Sequence, residues 1–298
     1  MEPDVLVVGE ALVDVVHAAD GTVVERAGGS AANVAVALAR LGRRVRFATA
    51  YADDERGAVL ADHLARAGVA LAADPHVVVR SSSAVATIGP DGAASYEFDV
   101  DWRLGPVPDE PAPQAVHVCS LGAVLAPGAE AVRDLVERLR PRATVTYDVN
   151  ARPSITGTGA DVVATVEALV ALADVVKVSD EDLEVLWPDL GVDAAADRLA
   201  GLGPRAVVVT RGGAGATWVE TGRRISVDAR PVTVADTIGA GDTFAAALVD
   251  GLWTHGLLGG RVEAPAESVV QDLLAHAGRA AAVTVSRPGA DPPYRHEL

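Results

Sequence analysis

Short apolar runs, each broken by glycine, proline or charge, recur along the chain and are followed by amphipathic stretches rich in alanine and leucine. Val5–Val8 is the first such run. From Val45 onward the alternation becomes regular, and strands are expected at Val45–Ala50, Val116–Ser120, Thr144–Asp148, Val175–Val178 and Ala206–Thr210. Helices are expected between them at Glu55–Ala67, Ala129–Leu139, Val162–Ala171, Asp180–Trp187 and Ala194–Leu202. Apolar strands alternating with helices predict an α/β fold, a mostly parallel sheet covered by helices on both faces. Ligands on such sheets collect at the carboxyl ends of the strands.

Two stretches break the rhythm, Asp14–Glu25 and Ser83–Phe98. In the second, Ala84–Ile88 and Ala94–Phe98 flank Gly89-Pro90-Asp91-Gly92, as the arms of a hairpin flank its turn. Together they predict a small β-rich lid, formed by segments 10–27 and 81–103 inserted in one domain over residues 1–298. The segment Gly105–Pro113 reads as the linker back to the main sheet.

Composition narrows the chemistry. The 298 residues carry 41 acidic and 25 basic side chains, a formal net charge of −16, which repels a polyphosphate backbone and argues against nucleic acid or an anionic membrane as partner. No apolar run approaches the roughly 20 residues of a membrane span. Met1-Glu2-Pro3-Asp4 lacks a basic leader region, so a cytoplasmic location is expected. Cys119 is the sole cysteine, which excludes an intrachain disulfide and a multi-cysteine zinc site. Lys177 is the sole lysine and is not part of a Gly-Lys-[Ser/Thr] sequence, so there is no P-loop; the protein-kinase motifs are absent as well. An anionic ligand must therefore be met by aimed backbone N–H groups or a local cation.

The segment that best meets this need is Asp236-Thr237-Ile238-Gly239-Ala240-Gly241-Asp242-Thr243-Phe244, which leads into the apolar stretch Ala245–Leu252. Gly239, Ala240 and Gly241 let the backbone come close to a ligand, and the helix start behind them adds unpaired N–H groups and a positive dipole end. Asp242 would oppose an anion bound there unless it accepts a proton during turnover. Phosphoryl transfer gives an aspartate that task, taking the proton of the attacking hydroxyl. A plain helix-capping role for Asp242 is the alternative.

Other segments supply candidates for binding. Gly28-Gly29-Ser30-Ala31-Ala32-Asn33 opens a helix over Ala31–Leu41, with Ser30 at the capping position and Asn33 able to give and accept hydrogen bonds to a sugar hydroxyl. Asp14 could bind two neighbouring hydroxyls. Asn150 and Arg152, in Asp148-Val149-Asn150-Ala151-Arg152-Pro153, follow a strand directly; Arg152 could bridge a transferring phosphoryl group or form a surface ion pair. Lys177-Val178-Ser179-Asp180-Glu181-Asp182 places acids where they could hold hydrated Mg2+ or simply favour a helix start. Thr210-Arg211-Gly212-Gly213-Ala214-Gly215 forms a glycine-rich turn that could pass under a nucleotide.

In order and spacing, these segments resemble the ribokinase-like family, the phosphofructokinase B type of carbohydrate kinases. Gly28 to Ala35 looks like its first signature and Asp236 to Phe244 like its second. The resemblance covers essentially the whole chain and implies a ribokinase-like three-layer α/β/α sandwich. It implies Asp242 as catalytic base, Gly239 to Asp242 as anion hole, and Asp14, Gly28, Gly29, Asn33 and Asn150 around the acceptor sugar, with Arg152 near the transferred group. For the nucleotide it implies Lys177, Ser179, Thr210, Gly212 and Gly215. It implies ATP and Mg2+, with the metal held chiefly through phosphates and waters and influenced indirectly by Asp182, one methylene shorter than the family's glutamate. A monovalent cation such as K+ would sit near Asp236, Ile238, Thr284, Arg287 and Gly289. Lys177-Val178-Ser179-Asp180-Glu181 and the Pro-Gly-Ala-x-Pro-Pro tail resemble bacterial fructokinases. A ketohexose such as fructose is thus the leading acceptor, with ribose, 2-keto-3-deoxygluconate and nucleosides as alternatives, and a non-catalytic sugar sensor as the alternative from another class. The resemblance further implies a homodimer formed through the lid.

Overall fold

The computed structural model describes residues 4–17, 21–88 and 94–298. The chain begins with β1 (Val5–Val8), leaves it for β2 (Leu12–His17) and β3 (Val23–Gly28), and returns through α1 (Ser30–Arg40) to β4 (Val45–Ala48). Next come α2 (Glu55–Arg66), β5 (Ala70–Leu71), β6 (Ser83–Ile88) and β7 (Ala94–Asp99). The expected hairpin is present as an antiparallel pair, β6 with β7, while its turn at Gly89–Gly92 lies outside the described residues. Residues 100–114 then lead, without regular structure, to β8 (Ala115–Cys119).

The second half alternates as its hydrophobic pattern predicts: α3 (Ser120–Val124), α4 (Gly128–Leu139), β9 (Thr144–Asp148), α5 (Pro153–Thr156), α6 (Ala160–Val170), β10 (Val175–Ser179), α7 (Asp180–Leu186), α8 (Val192–Ala200) and β11 (Ala206–Thr210). A hairpin of β12 (Ala216–Glu220) and β13 (Arg223–Val227) follows, and α9 (Ala240–Thr254) and α10 (Glu267–Val285) complete the main body. Nine strands form one sheet in the order β13-β12-β11-β10-β9-β8-β1-β4-β5, parallel except for the hairpin edge. A second sheet, β3-β2-β6-β7, stands beside it.

The inner strands are largely apolar because both faces of the large sheet are covered; the exceptions, such as His117, Thr146, Asp148 and Lys177, are buried polar groups. Successive side chains point to opposite faces. Leu6 and Val8 join Val207 and Val209 in the core under α4, α6 and α8, whereas Val5 and Val7 face α1 and α9, and Val208 faces α9 and α10. Helix α9 is buried from Asp242 to Leu252, pressed between α1 and α10, which explains a sequence that is apolar almost all round. Packing thus fixes its N-terminus at the carboxyl ends of the central strands.

Two expectations shift at helix starts. Gly29, not Ser30, is the residue preceding α1, and no side chain caps that end; Ser30 is the first helical residue. Helix α9 starts at Ala240, earlier than the apolar stretch from Ala245, with left-handed Gly239 before it. Asp242 therefore sits inside the first turn and is not the cap.

Candidate active site

The two glycine-containing signatures meet at the end of the sheet. The crossing from the small sheet into α1 leaves no room for side chains. A Cβ on Gly28 would lie 2.2 Å from Asp14 Oδ2, and one on Gly29, whose φ is 99°, would lie 2.7 Å from the Glu10 carbonyl oxygen. Asp14 on β2 thus lies directly over the glycine pair. Its carboxyl group reaches solvent, but the cleft walls remove enough water to push its pKa up to about 6.

On the other side, α9 is entered through left-handed Gly239, where a Cβ would meet Ala290 Cβ at 2.7 Å. Thr243 N–H makes the first intrahelical bond, 2.9 Å to Gly239 O, so the N–H groups of Gly241 and Asp242 have no intrahelical acceptor. A Cβ on Gly241 would stand 2.9 Å from Lys177 Nζ. The one lysine of the chain is therefore buried directly behind this helix start, and its ammonium donates to Asp148 Oδ2 at 3.0 Å. Burial pushes the Asp148 carboxyl upward against the pull of Lys177, and its Oδ1 has no partner among the described residues. Positive dipole, free N–H groups and a buried cation converge on one spot, an environment suited to a phosphate.

Asp242 is 7% exposed. Ser30 Oγ donates to its Oδ1 at 2.7 Å, Asn33 Nδ2 donates to its Oδ2 at 2.8 Å, and Asn150 Nδ2 stands 3.5 Å from Oδ1. All three donors are neutral. Asn150 also donates to Ser30 Oγ at 2.8 Å, which sets the direction of the serine hydroxyl toward Asp242. Asn150 reaches this position from a left-handed backbone, φ 37°, and the neighbouring Ser120, φ 51°, donates its hydroxyl to Asn150 O at 3.1 Å. Two non-glycine residues held in that region in contact mark stored strain at the site.

The remaining candidates have different placements. Arg152 is exposed, and its guanidinium donates to the carbonyl groups of Asn150 and Ala151, so it braces its own loop at the rim. Asp182 uses both carboxylate oxygens on backbone: Oδ1 accepts from Ala151 N–H and Oδ2 from Ser179 N–H, each at 2.9 Å, while Ser179 Oγ caps Asp182 N–H. It stitches the start of α7 to the loop after β9. Ser179 and Thr210 are neighbours in register at the ends of β10 and β11, and Gly212 lies in a single helical turn after β11. Gly215, φ 92°, has no room for a side chain against Val227 O. Asp236 Oδ1 accepts from Ile238 N–H and Oδ2 from Gly289 N–H, bonds that lower its pKa. Thr284 O accepts from Arg287 N–H, and the Arg287 guanidinium pairs with Asp291 and Glu297. No group of three or more His, Cys, Asp or Glu side chains among the described residues could hold a metal ion alone.

Ser30 is the residue that motif reading undervalued. A capping role explains a serine before a helix, and nothing local reveals that its hydroxyl meets an aspartate 212 positions away. Glu10, 3% exposed with its carboxylate accepting from Ser30 N–H and Gly122 N–H, belongs to no motif. The only signal is an acid inside the otherwise apolar stretch Val5 to Val13.

The pfkB family carbohydrate kinase model matches residues 2–297. The chain belongs to the pfkB family of carbohydrate kinases. A fructokinase from Rhizobium leguminosarum bv. trifolii is 32% identical over 267 residues, covering 85% of this chain and 81% of that relative. The crystal structure of aminoimidazole riboside kinase from Salmonella enterica with aminoimidazole riboside and an ATP analog aligns with a TM-score of 0.79 at 25% identity, covering 96% of this chain and 95% of that one. A double mutant of the Vibrio cholerae O395 fructokinase, in its fructose-, ADP- and potassium-bound form, aligns at 0.77 and 27% identity, covering 97% and 94%. This pfkB protein is thus a carbohydrate kinase with a ribokinase-like fold, and none of its helices among the described residues is long and apolar enough to cross a membrane.

Proposed function

We propose that this kinase transfers the γ-phosphate of ATP to a primary hydroxyl of fructose, with Asp242 as the group that accepts the hydroxyl proton. One observation carries the reading. A nearly buried carboxylate, held only by neutral donors, lies in the first turn of a helix whose free N–H groups and underlying ammonium await an anion. Such a carboxylate can meet an incoming hydroxyl and take its proton, because no cation is hydrogen-bonded to it among the described residues.

The sugar lies between the two sheets. Asp14, Gly28, Gly29, Asn33 and Asn150 hold its hydroxyls and aim the reacting one at Asp242; this positioning supplies much of the rate. The N–H groups from Gly239 to Asp242, with Lys177 behind them, stabilise charge on the transferred group. Arg152, at the rim, reaches the same group from the open side. Lys177, Ser179, Thr210, Gly212 and Gly215 mark the path of the nucleotide along the strand ends. Mg2+ would supply charge neutralisation on the phosphates when bound. The donor set fits a metal held through phosphates and water, since Asp182 has both oxygens committed to backbone. K+ would fit the turn formed by Asp236, Ile238, Thr284, Arg287 and Gly289, where carbonyl oxygens could join in. The small sheet acts as the lid, excluding water that would otherwise consume ATP.

A riboside acceptor is the second reading, favoured by the alignment with aminoimidazole riboside kinase. A coupled ATP-consumption assay with fructose, ribose, 2-keto-3-deoxygluconate and ribosides, with and without K+, tests both. Fructose should give the highest kcat/KM. A higher value for a riboside replaces fructose with that acceptor, and no ATP consumption with any acceptor contradicts the kinase reading of this site.

A further inference from the structure

Glu10 follows β1 at the point where the chain leaves the large sheet for the lid. It is 3% exposed, and no cation is bonded to it among the described residues. Its carboxylate instead spans two backbone donors from distant parts of the chain: Oε1 accepts from Ser30 N–H at 3.1 Å and Oε2 from Gly122 N–H at 2.9 Å. Ser30 is the first residue of α1, and Gly122 lies in α3. The fit around this clamp is tight. A Cβ on Gly29 would lie 2.7 Å from Glu10 O, and one on Gly122 would lie 2.6 Å from Gly9 Cα. Glu10 cannot move without moving the start of α1.

Ser30 is bonded on two sides. Its N–H goes to Glu10, and its hydroxyl goes to Asp242 at 2.7 Å. A single residue therefore links the clamp at the lid crossing to the carboxyl group at the head of α9. Neutral acceptors could satisfy the two N–H groups more cheaply. Burying a carboxylate without a cation is costly. The cost is visible here: burial drives the Glu10 pKa to about 7 in spite of the backbone bonds that lower it, and the charge of Asp242 adds to the rise. A Gln side chain has only one oxygen to offer, so it cannot serve both donors, and an Asp is one methylene too short to span them.

We propose that Glu10 is a positioning residue for Asp242: by fixing the first residue of α1 it holds the Ser30 hydroxyl against the Asp242 carboxyl group, and it couples that orientation to the lid crossing. The proposal rests on the reading of Asp242 as proton acceptor. It assigns Glu10 no contact with sugar or nucleotide. Displacing a reacting group by about 1 Å lowers turnover on the order of 10²-fold, so a clamp acting through Ser30 has a measurable effect.

The test compares the full-length wild type with Glu10→Gln, Ser30→Ala, the double variant and Asp242→Asn, using ATP and fructose and recording kcat and both KM values. Glu10→Gln should lower kcat at least ~10-fold while KM for ATP stays within ~2-fold. If Glu10 acts through the Ser30 hydroxyl, the double variant should fall within ~3-fold of the poorer single variant, the signature of coupled sites. Should Glu10→Gln fail to give a native circular dichroism spectrum, Glu10→Asp takes its place, with the same expected loss. Wild-type kcat in the Glu10 variant, or losses in the double variant that multiply, would overturn the role of Glu10 provided Asp242→Asn is inactive. An active Asp242→Asn would instead overturn the reading of Asp242, and the Glu10 role with it.

Discussion

Helix α9 carries a buried aspartate near each end, and the two are built in opposite ways. Asp250, 1% exposed near the C-terminus, is bound by two guanidinium groups, Arg43 Nε at 2.6 Å and Arg295 Nη2 at 2.5 Å, and by the His276 ring, Nε2 at 2.8 Å. Burial alone would raise its pKa, but the bonds from His276, Arg295 and Arg43 outweigh that and hold it below the usual range. Asp242, at the other end, meets only hydroxyl and amide donors. The cations around Asp250 also lie where the negative end of the helix dipole favours them. A carboxylate locked by cations cannot serve as a proton acceptor near neutral pH and does structural work. A carboxylate positioned by neutral hydroxyl and amide donors carries no ion pair that must be broken before a substrate hydroxyl can reach it.

The comparison can be broken at either end. Gly241→Ala would put a methyl group against Lys177 Nζ and into the phosphate cradle; kcat should fall on the order of 10²-fold, the scale of losing one anion-hole donor, with little change in thermal stability. Asp250→Ala should do the reverse, costing about 3 kcal/mol in urea unfolding while leaving kcat near wild type. That figure is the low end for breaking a buried pair, because Arg43 and Arg295 keep part of their solvation. Asn33→Ala removes a donor to Asp242 and a sugar contact, so kcat/KM for fructose should fall about 10-fold while KM for ATP holds.

A smaller effect sharpens the same contrast through pH. Glu10, with a pKa of about 7, and Asp14, at about 6, bind protons more tightly in the folded chain than in the unfolded one. Their stabilisation is complete below the unfolded values and is lost as pH rises through 6 and 7. Their contribution to thermal stability is therefore larger at pH 5.5 than at pH 8; Asp148, raised to about 7, acts in the same direction, and His117, held neutral by burial, acts against it. In Glu10→Gln the difference should shrink, and an unchanged slope would place the titration elsewhere.

Much of the architecture was legible because burial on both faces forces strands such as Val175–Val178 and Ala206–Thr210 to be apolar at nearly every position, and the intervening helices to be one-sided. The antiparallel edge was not: no strand is expected over β12 and β13, and the glycine-rich turn at 212–215 gives no direction for the chain beyond it. Helix α10 is harder to read because further alanines and valines, such as Val269, Ala281 and Ala282, flank the buried stripe Val270, Leu273, Leu274, Ala277 and Ala280 and blur its one-sidedness. In the site, the glycine signatures were readable because close backbone approach admits no other residue at Gly29 or Gly239. What local sequence could not show was which side chains the fold brings together. The Ser30–Asp242 bond joins residues 212 positions apart, and Lys177 reaches the anion hole from behind Gly241, within the sheet. Asp182 reads as a metal-linked acid because its neighbours are acidic, yet one of its oxygens is taken up by Ala151 N–H in the loop after β9 and the other by Ser179 N–H at the end of β10.

The most direct measurement is the single-turnover rate of phosphoryl transfer from ATP to fructose in Asp242→Asn, taken alongside ATP affinity on the same preparation. The amide keeps the shape and cannot accept the proton, so the rate should fall about 10²- to 10⁴-fold with ATP affinity almost unchanged. A rate within a few-fold of wild type would contradict the account.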